Sequence, residues 1–188
     1  AASPPPMKFL NSVQPIHVVL ALLLVIAGIT AFVLLSEPPA DATGVPHETI
    51  AGLSVGGDAG LTLEALGSAP FYFQIAVILL SGVLLYMGVA AHRRDHRLRL
   101  FFLLGIGFSI FSWVALFLTY ELWVTSGKTT VFMGFPTPTN WMFWGIWGSF
   151  AAFDLFYVIF FRRYFLPPED EQAFNDLMDE IKAEGVDA

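Results

Sequence analysis

The sequence predicts an all-α integral membrane protein, a bundle of four transmembrane helices with both termini in the cytoplasm and an amphipathic helix near the C-terminus. The first observation is composition: of 188 residues, 56% are hydrophobic and 13% are charged, and the mean hydropathy is +0.67. An average soluble domain is about 45–50% apolar and about 25% charged. The second is that the charges stand in short blocks, near residues 93–99, 162–163 and 169–187, with long uncharged stretches between them. Lipid is therefore the main solvent of this chain.

Four stretches can each supply the roughly 20 apolar residues that a helix needs to cross about 30 Å of hydrocarbon. They lie at about residues 16–35, 71–91, 98–120 and 141–161. Pro15 and Pro70 stand at the start of the first two stretches, where a helix tolerates a residue without an N–H. Prolines also follow two of the stretches, and we expect them to end the first and last helices: Pro38, Pro39, Pro167 and Pro168.

These spans divide the chain into three parts. Residues 1–14 form an N-terminal segment, 15–166 the transmembrane domain and 167–188 an acidic tail. The first six residues carry neither a positive charge nor an apolar run, so they do not form a signal peptide. We expect Met7 to be the native start and residues 1–6 to be a remnant of cloning.

The basic residues predict the orientation. Loops that stay in the cytoplasm are enriched in Lys and Arg. In the four-span arrangement Lys128 alone lies on one side of the membrane. The other eight Lys and Arg residues lie on the opposite side: Lys8, Arg93, Arg94, Arg97, Arg99, Arg162, Arg163 and Lys182. Both termini should therefore be cytoplasmic, and we expect a multi-pass protein of a bacterial inner (plasma) membrane.

Several functional classes find no support in the sequence. There is no cysteine, which excludes disulfides, thiolate metal ligands and cysteine nucleophiles. The few basic residues all lie beside membrane segments, which argues against nucleic-acid binding. Neither a Ser-His-Asp set, a phosphate-binding loop, a paired carboxylate motif nor an HExxH motif is present. The sequence thus gives no support to an enzyme, and membrane lipid is the first expected partner.

Asp154 is the strongest functional signal, because it lies inside the fourth span, eight residues before Arg162, or roughly 12 Å along a helix. A carboxylate at that depth must be paired, hydrated or protonated. Tyr86 and Ser109, on the second and third spans, lie at a comparable level. Asp154 either binds or relays a proton or sodium ion, or pairs with a cation on another subunit, or is a protonated packing group. The sequence leaves these alternatives open.

A stripe of small residues runs along the same span, at Gly145, Gly148, Ser149 and Ala152. Small residues let helices approach closely in a membrane. Helical geometry places this stripe roughly opposite Asp154. If both faces are covered, the fourth span lies between its own bundle and another chain. Otherwise the stripe simply faces the third span.

The histidines raise the question of a cofactor. His17, His92 and His96 cluster at the cytoplasmic boundary, where they suggest haem or quinone binding. The ordinary interpretation is solvated histidines among arginines, and no cofactor is expected on this basis. His47, in the acidic outer loop between the first two spans, has no second ligand pair at useful spacing, so we expect a solvated turn there and no metal.

The tail has the apolar spacing of an amphipathic helix over about residues 169–184. Its apolar face includes Phe174, Leu177, Met178 and Ile181, and acidic residues surround it. Because cytoplasmic leaflets are usually anionic, an acidic helix should avoid the lipid surface. We expect it either to dock on a partner protein or to pack on the inner loop at Arg93–Arg99.

The second half of the chain resembles the small membrane subunits of bacterial sodium/solute symporters. The resemblance is carried by Gly134-Phe135-Pro136 before the fourth span, by Tyr157 and Arg162-Arg163-Tyr164 near its end, and by Phe174–Glu180 in the tail. Those subunits look like two-helix proteins, whereas this chain has two further helices and an acidic outer loop. The resemblance implies an accessory role beside a larger transporter, with no catalytic residues.

Three functional hypotheses follow. The first is an accessory or assembly subunit of a bacterial inner-membrane complex, most simply a solute transporter, which contacts a larger membrane protein through the fourth span and the tail. The second is a self-associating channel or a proton- or sodium-coupled carrier that uses Asp154. The third is a respiratory membrane subunit that binds quinone or haem near His17, His92 and His96.

Overall fold

A computed structural model of the chain describes residues 14–37, 44–56, 59–183 and 185. Helix accounts for 78% of the structure and strand for 4%, which confirms the helical class. The expected start at Met7 and the prolines Pro38 and Pro39 lie outside the described residues.

Four of the described helices are long and apolar enough to cross a membrane. They are α1 (Pro15–Leu35), α3 (Ala69–Met87), α4 (His96–Ser126) and α5 (Thr137–Tyr164). Each overlaps one of the predicted spans. Pro15 and Pro70 do occupy the first turns of their helices, as expected.

The helix ends depart from the predicted spans for identifiable reasons. Helix α3 stops at Met87 rather than near residue 91, and the guanidinium of Arg94 donates to the carbonyl oxygens of Met87 and Val89, at 3.2 and 2.9 Å. Helix α4 continues well past the apolar stretch to Ser126. It ends there because Gly127 adopts a left-handed conformation, φ +65°, and donates its N–H to the carbonyl of Trp123.

Shorter elements connect these helices. In the loop between α1 and α3, β1 (Val45–Pro46) pairs with β2 (Ser54–Val55), and a short helix α2 (Ala59–Leu66) follows. Between α4 and α5, β3 (Val131–Phe132) pairs with β4 (Phe135–Pro136). Met133 and Gly134 form the tip of this hairpin with φ of +52° and +84°. Both central residues of such a tight turn need positive φ, which explains the glycine.

Helix α5 is not uniform. Its turns at Trp141–Trp147 are π-helical, and a regular α-helix continues over Gly148–Tyr164. Pro167 and Pro168 follow it, and Pro168 is also the first residue of α6 (Pro168–Ala183), the predicted tail helix. A proline suits that position because the first helical N–H has no partner within the helix.

The spanning helices pack mainly on their neighbours in the chain: α1 on α3, α3 on α4, and α4 on α5. Most of the surface of each long helix faces outward, and α1 has a single buried residue, Val19. The largest buried cluster joins α3, α4 and α5 at the end near the arginines, and it is mostly aromatic. Its buried members are Val89, Leu98, Phe102, Phe153, Phe156 and Tyr164.

Candidate functional site

Asp154 lies on the outward face of α5. The residues of α5 that bury themselves against α4 include Ser149, Phe153 and Phe156. At about 100° per residue, Asp154 points between roughly 100° and 160° away from them. It lines a groove on the outer surface with Ile146, Trp147, Phe150 and Ala151. Among the described residues no hydrogen bond or ion pair reaches its carboxyl group.

The two residues predicted at the same level as Asp154 are engaged elsewhere. Tyr86 stacks edge-on against Phe102, and Arg94 lies over its ring at 4.9 Å from the centroid. Ser109 is buried, and its hydroxyl donates to the carbonyl of Gly105 at 2.9 Å. The structure therefore does not gather Asp154, Tyr86 and Ser109 into one internal site, because the carboxyl faces away from the other two helices.

The small-residue stripe divides into two parts. Gly145 and Ser149 are buried against α4, whereas Gly148 and Ala152 are exposed. The closest approach is at Gly145, where an added Cβ atom would lie 2.6 Å from the Cβ of Ser112. This half of the stripe faces the third span, one of the two arrangements expected. It allows α5 to rest on its own chain by one narrow face while Asp154 faces outward.

The histidines are placed at the surface. His17, near the start of α1, His92, in a single 3₁₀ turn at Ala91–Arg93, and His96, the first residue of α4, are all exposed. No group of three residues that could hold a metal ion occurs in the described part of the chain. The Nδ1 atom of His47 accepts hydrogen bonds from the backbone N–H groups of Thr49 and Ile50, both at 3.2 Å. The imidazole ring of His47 therefore stabilises a local turn of the backbone.

A polar cluster that the sequence analysis missed joins the α3–α4 loop to the end of α5. We call the residues Arg93, Asp95, Arg163, Tyr164 and Asp170 the clasp. Asp95 caps α4 by accepting from the backbone N–H of Leu98 at 2.8 Å. Its carboxylate also accepts from the Tyr164 hydroxyl at 3.0 Å and from the Arg163 guanidinium at 3.0 Å. One carboxylate therefore ties two spanning helices together.

Arg93 forms the other half of the clasp. Its guanidinium donates to the carbonyl of Phe165 at 2.9 Å, beyond the end of α5, and forms an ion pair with Asp170 on α6. A second pair, Arg162 with Glu171 at 3.4 Å, lies beside it and is open to solvent. The first turn of α6 is thus held by the α3–α4 loop of its own chain. A contact with this loop was one of the two expectations for the tail.

The electrostatics of the clasp predict a pH dependence. The Leu98 amide, with the Tyr164 hydroxyl and the Arg163 guanidinium, holds the pKa of Asp95 below its ordinary value of 3.8, although burial acts in the opposite direction. An unfolded chain then binds more protons than the folded one between the two pKa values, so stability rises with pH across that window. The contribution is complete above 3.8 and is lost as the pH falls through the folded pKa.

We therefore expect the thermal stability of the purified protein to fall as the pH is lowered through the range below 3.8, and Asp95→Asn to remove part of this dependence. The measurement is the melting temperature across that range in detergent. Asp176→Asn, at an exposed position on α6, is the matched control and should keep the wild-type profile. Parallel pH profiles for wild type and Asp95→Asn would show that the clasp does not act in this way.

The apolar face of α6 is only partly covered. Phe174 and Leu177 are exposed, at 59% and 52%, while Met178 and Ile181 are half-buried. The helix is therefore anchored by its first turn and presents apolar side chains further along. Part of the apolar face of α6 is thus left uncovered by the described part of the chain.

Arg93→Gln should weaken the attachment of α6 to the α3–α4 loop. An ion pair half open to solvent is worth about 1 kcal/mol or less, so amide hydrogen exchange in α6 should become about three- to fivefold faster. Hydrogen exchange followed by mass spectrometry measures this directly. Arg97→Gln, at an exposed position on α4, is the control and should leave exchange in α6 unchanged. Equal exchange in wild type and Arg93→Gln would mean that the Arg93–Asp170 pair does not hold the tail.

Two features of this molecule thus stand out for function: an unpaired carboxyl on the outward face of a spanning helix, and an anchored tail with an exposed apolar face. Neither has a catalytic arrangement around it within the described residues. Comparison with protein families, characterised proteins and solved structures finds no match to this chain.

Proposed function

We propose that this chain is an accessory or assembly subunit of a bacterial inner-membrane complex, and that the complex is a solute transporter. The observation that carries the proposal is the position of Asp154, which faces out of the chain among apolar residues. A charged group there is costly in lipid unless another chain covers it. The resemblance of the second half to symporter small subunits supports the transporter assignment.

The arrangement of the helices supports a role in assembly. Helix α5 packs on its own chain mainly through α4, by one narrow face. It leaves large side chains such as Trp147, Leu155 and Val158 exposed. A helix with this much free surface can take a second neighbour without rearrangement of its own chain. The outward face of α5 is therefore the proposed contact within the membrane.

The tail supplies a second contact outside the membrane. By the positive-inside rule, the end of the molecule that carries the clasp is cytoplasmic in the proposed orientation. Helix α6 carries several acidic residues, so an anionic leaflet repels it. Phe174 and Leu177 would then meet a cytoplasmic surface of the partner rather than lipid.

Native mass spectrometry of the complex, gently extracted from its own membrane, tests this proposal. We expect the chain to travel with a larger polytopic membrane protein in a fixed ratio. Recovery as a lone monomer under conditions that preserve other complexes of the same membrane would contradict it. An absorption spectrum of the same sample tests the haem hypothesis, since bound haem would give a Soret band.

A self-associated carrier or channel is the second candidate, and the outward direction of Asp154 favours it specifically. A carboxyl on the outer face can line a path only where chains meet, so such a path would run between copies. Proton or sodium flux into liposomes should then depend on the carboxyl group. Flux that is the same for wild type and Asp154→Asn would remove Asp154 from this role.

A further inference from the structure

The outward face of α5 carries an apolar groove with one carboxyl group in it. The groove that contains Asp154 is otherwise formed by Ile146, Trp147, Phe150 and Ala151. Three of these are large and apolar, and Ala151 is small enough to let the backbone of another helix come close. The groove therefore has the shape of a helix contact with a single carboxyl group in it.

Within the described part of the chain, nothing satisfies the carboxyl group. It lies about 12 Å from the level of Arg162 along the helix, which is too far for the short Asp side chain to reach the interface. No described residue donates to it. Protonation would remove the charge but would leave a polar group facing hydrocarbon without a hydrogen bond, which is also unfavourable.

A second copy of this chain cannot supply the missing cation. All nine Lys and Arg residues and all four histidines lie in loops, at span ends or in the terminal segments of the sequence, outside the middle of the predicted spans. A symmetric contact through this face would bring together two copies of the same surface. Two carboxyl groups would then lie at the same depth with no basic residue near them. A different polypeptide is the chemically suitable occupant.

We infer that Asp154 forms an ion pair with a Lys, Arg or His on a transmembrane helix of a different protein, and that this helix lies in the groove of Ile146, Trp147, Phe150 and Ala151. The inference rests on the proposed accessory function and specifies the chemistry of the partner. A buried pair of this kind fixes depth and rotation of one helix against another, because only one register brings the two charges together.

The test uses the complex extracted from its own membrane with wild type, Asp154→Asn and Asp154→Lys. Loss of one member of a desolvated pair should reduce the amount of partner recovered per chain by about tenfold or more in both variants. Changing the basic residue of the partner to Asp should restore the complex with Asp154→Lys. Glu121→Gln, a carboxyl at the exposed outer end of α4, is the control and should recover the partner fully.

The outcomes separate this inference from the proposed function. Loss of the partner in both variants, with rescue by charge reversal, supports the inference. A partner that stays bound to Asp154→Asn, or that has no basic residue within its membrane helices, overturns the ion pair and leaves the accessory function intact. A wild-type chain recovered alone, or only with further copies of itself, overturns both.

Discussion

Replacing Gly145 by alanine should force α4 and α5 apart and lower the free energy of unfolding by about 1–3 kcal/mol, the usual effect of overpacking a well-packed contact. The reason is the short distance between the two helices at this point. The new Cβ atom would lie 2.6 Å from the Cβ and 2.7 Å from the Oγ of Ser112. The Cβ atom of Ser112 is fixed to its backbone and cannot rotate away, so the backbones must move.

The control for this prediction is on the same helix. At Gly148 an added Cβ meets nothing nearer than 4.0 Å, so Gly148→Ala should be neutral or slightly stabilising. Ser112→Gly should restore the stability of Gly145→Ala, because it removes both contacting atoms. Unfolding in mixed micelles gives the four free energies for a double-mutant cycle. Additive effects of the Gly145 and Ser112 changes would show that the two residues do not touch.

Phe102→Ala should produce the other large effect. Phe102 is 3% exposed, and its ring lies 5.4 to 5.9 Å, centroid to centroid, from the rings of Tyr86, Phe101, Phe153 and Phe156. We expect a loss of about 3 kcal/mol, near the low end for a phenylalanine core deletion, because the lipid reference state is itself apolar. The change removes ring contacts of α4 with both α3 and α5.

Phe108→Ala tests the same substitution on the outer surface of α4. Its side chain is 47% exposed, so its removal should change the unfolding free energy by less than about 1 kcal/mol. Both variants can be measured by the same mixed-micelle titration. A Phe102→Ala protein as stable as Phe108→Ala would show that the aromatic cluster does not hold the three helices together.

The sequence was sufficient for the number and approximate place of the spanning helices, because about 20 consecutive apolar residues have few other structural solutions. The ends of those helices were harder to predict, since hydropathy does not determine them. Helix α4 ends where Gly127 turns left-handed, and Arg94 donates to the carbonyl of Met87, the last residue of α3, and to that of Val89 beyond it. The hairpin strands have two residues each and α2 has eight, so these elements are too short to give a clear periodic signal in the sequence.

The candidate sites, like the helices, were predictable from the sequence only in part. Asp154 was visible because a charge inside an apolar stretch is rare. Helical periodicity placed the stripe of Gly145, Gly148, Ser149 and Ala152 opposite it, and two of these residues, Gly145 and Ser149, are buried. The direction of that face, outward rather than toward Tyr86, depends on which helix packs beside α5. The clasp was missed because its members are far apart in sequence. One local signal was available, since an Asp directly before an apolar stretch is a common helix cap, and Asp95 occupies that position.

The central claim is that another protein covers the face of α5 that carries Asp154, and photo-cross-linking in intact membranes tests it most directly. A photoreactive amino acid is placed at Ala151, beside Asp154, and in a second experiment at Ala27, an exposed alanine on α1. The account predicts that Ala151 yields a discrete adduct with a larger membrane protein. Adducts with lipid alone at Ala151, as abundant as those at Ala27, would contradict it.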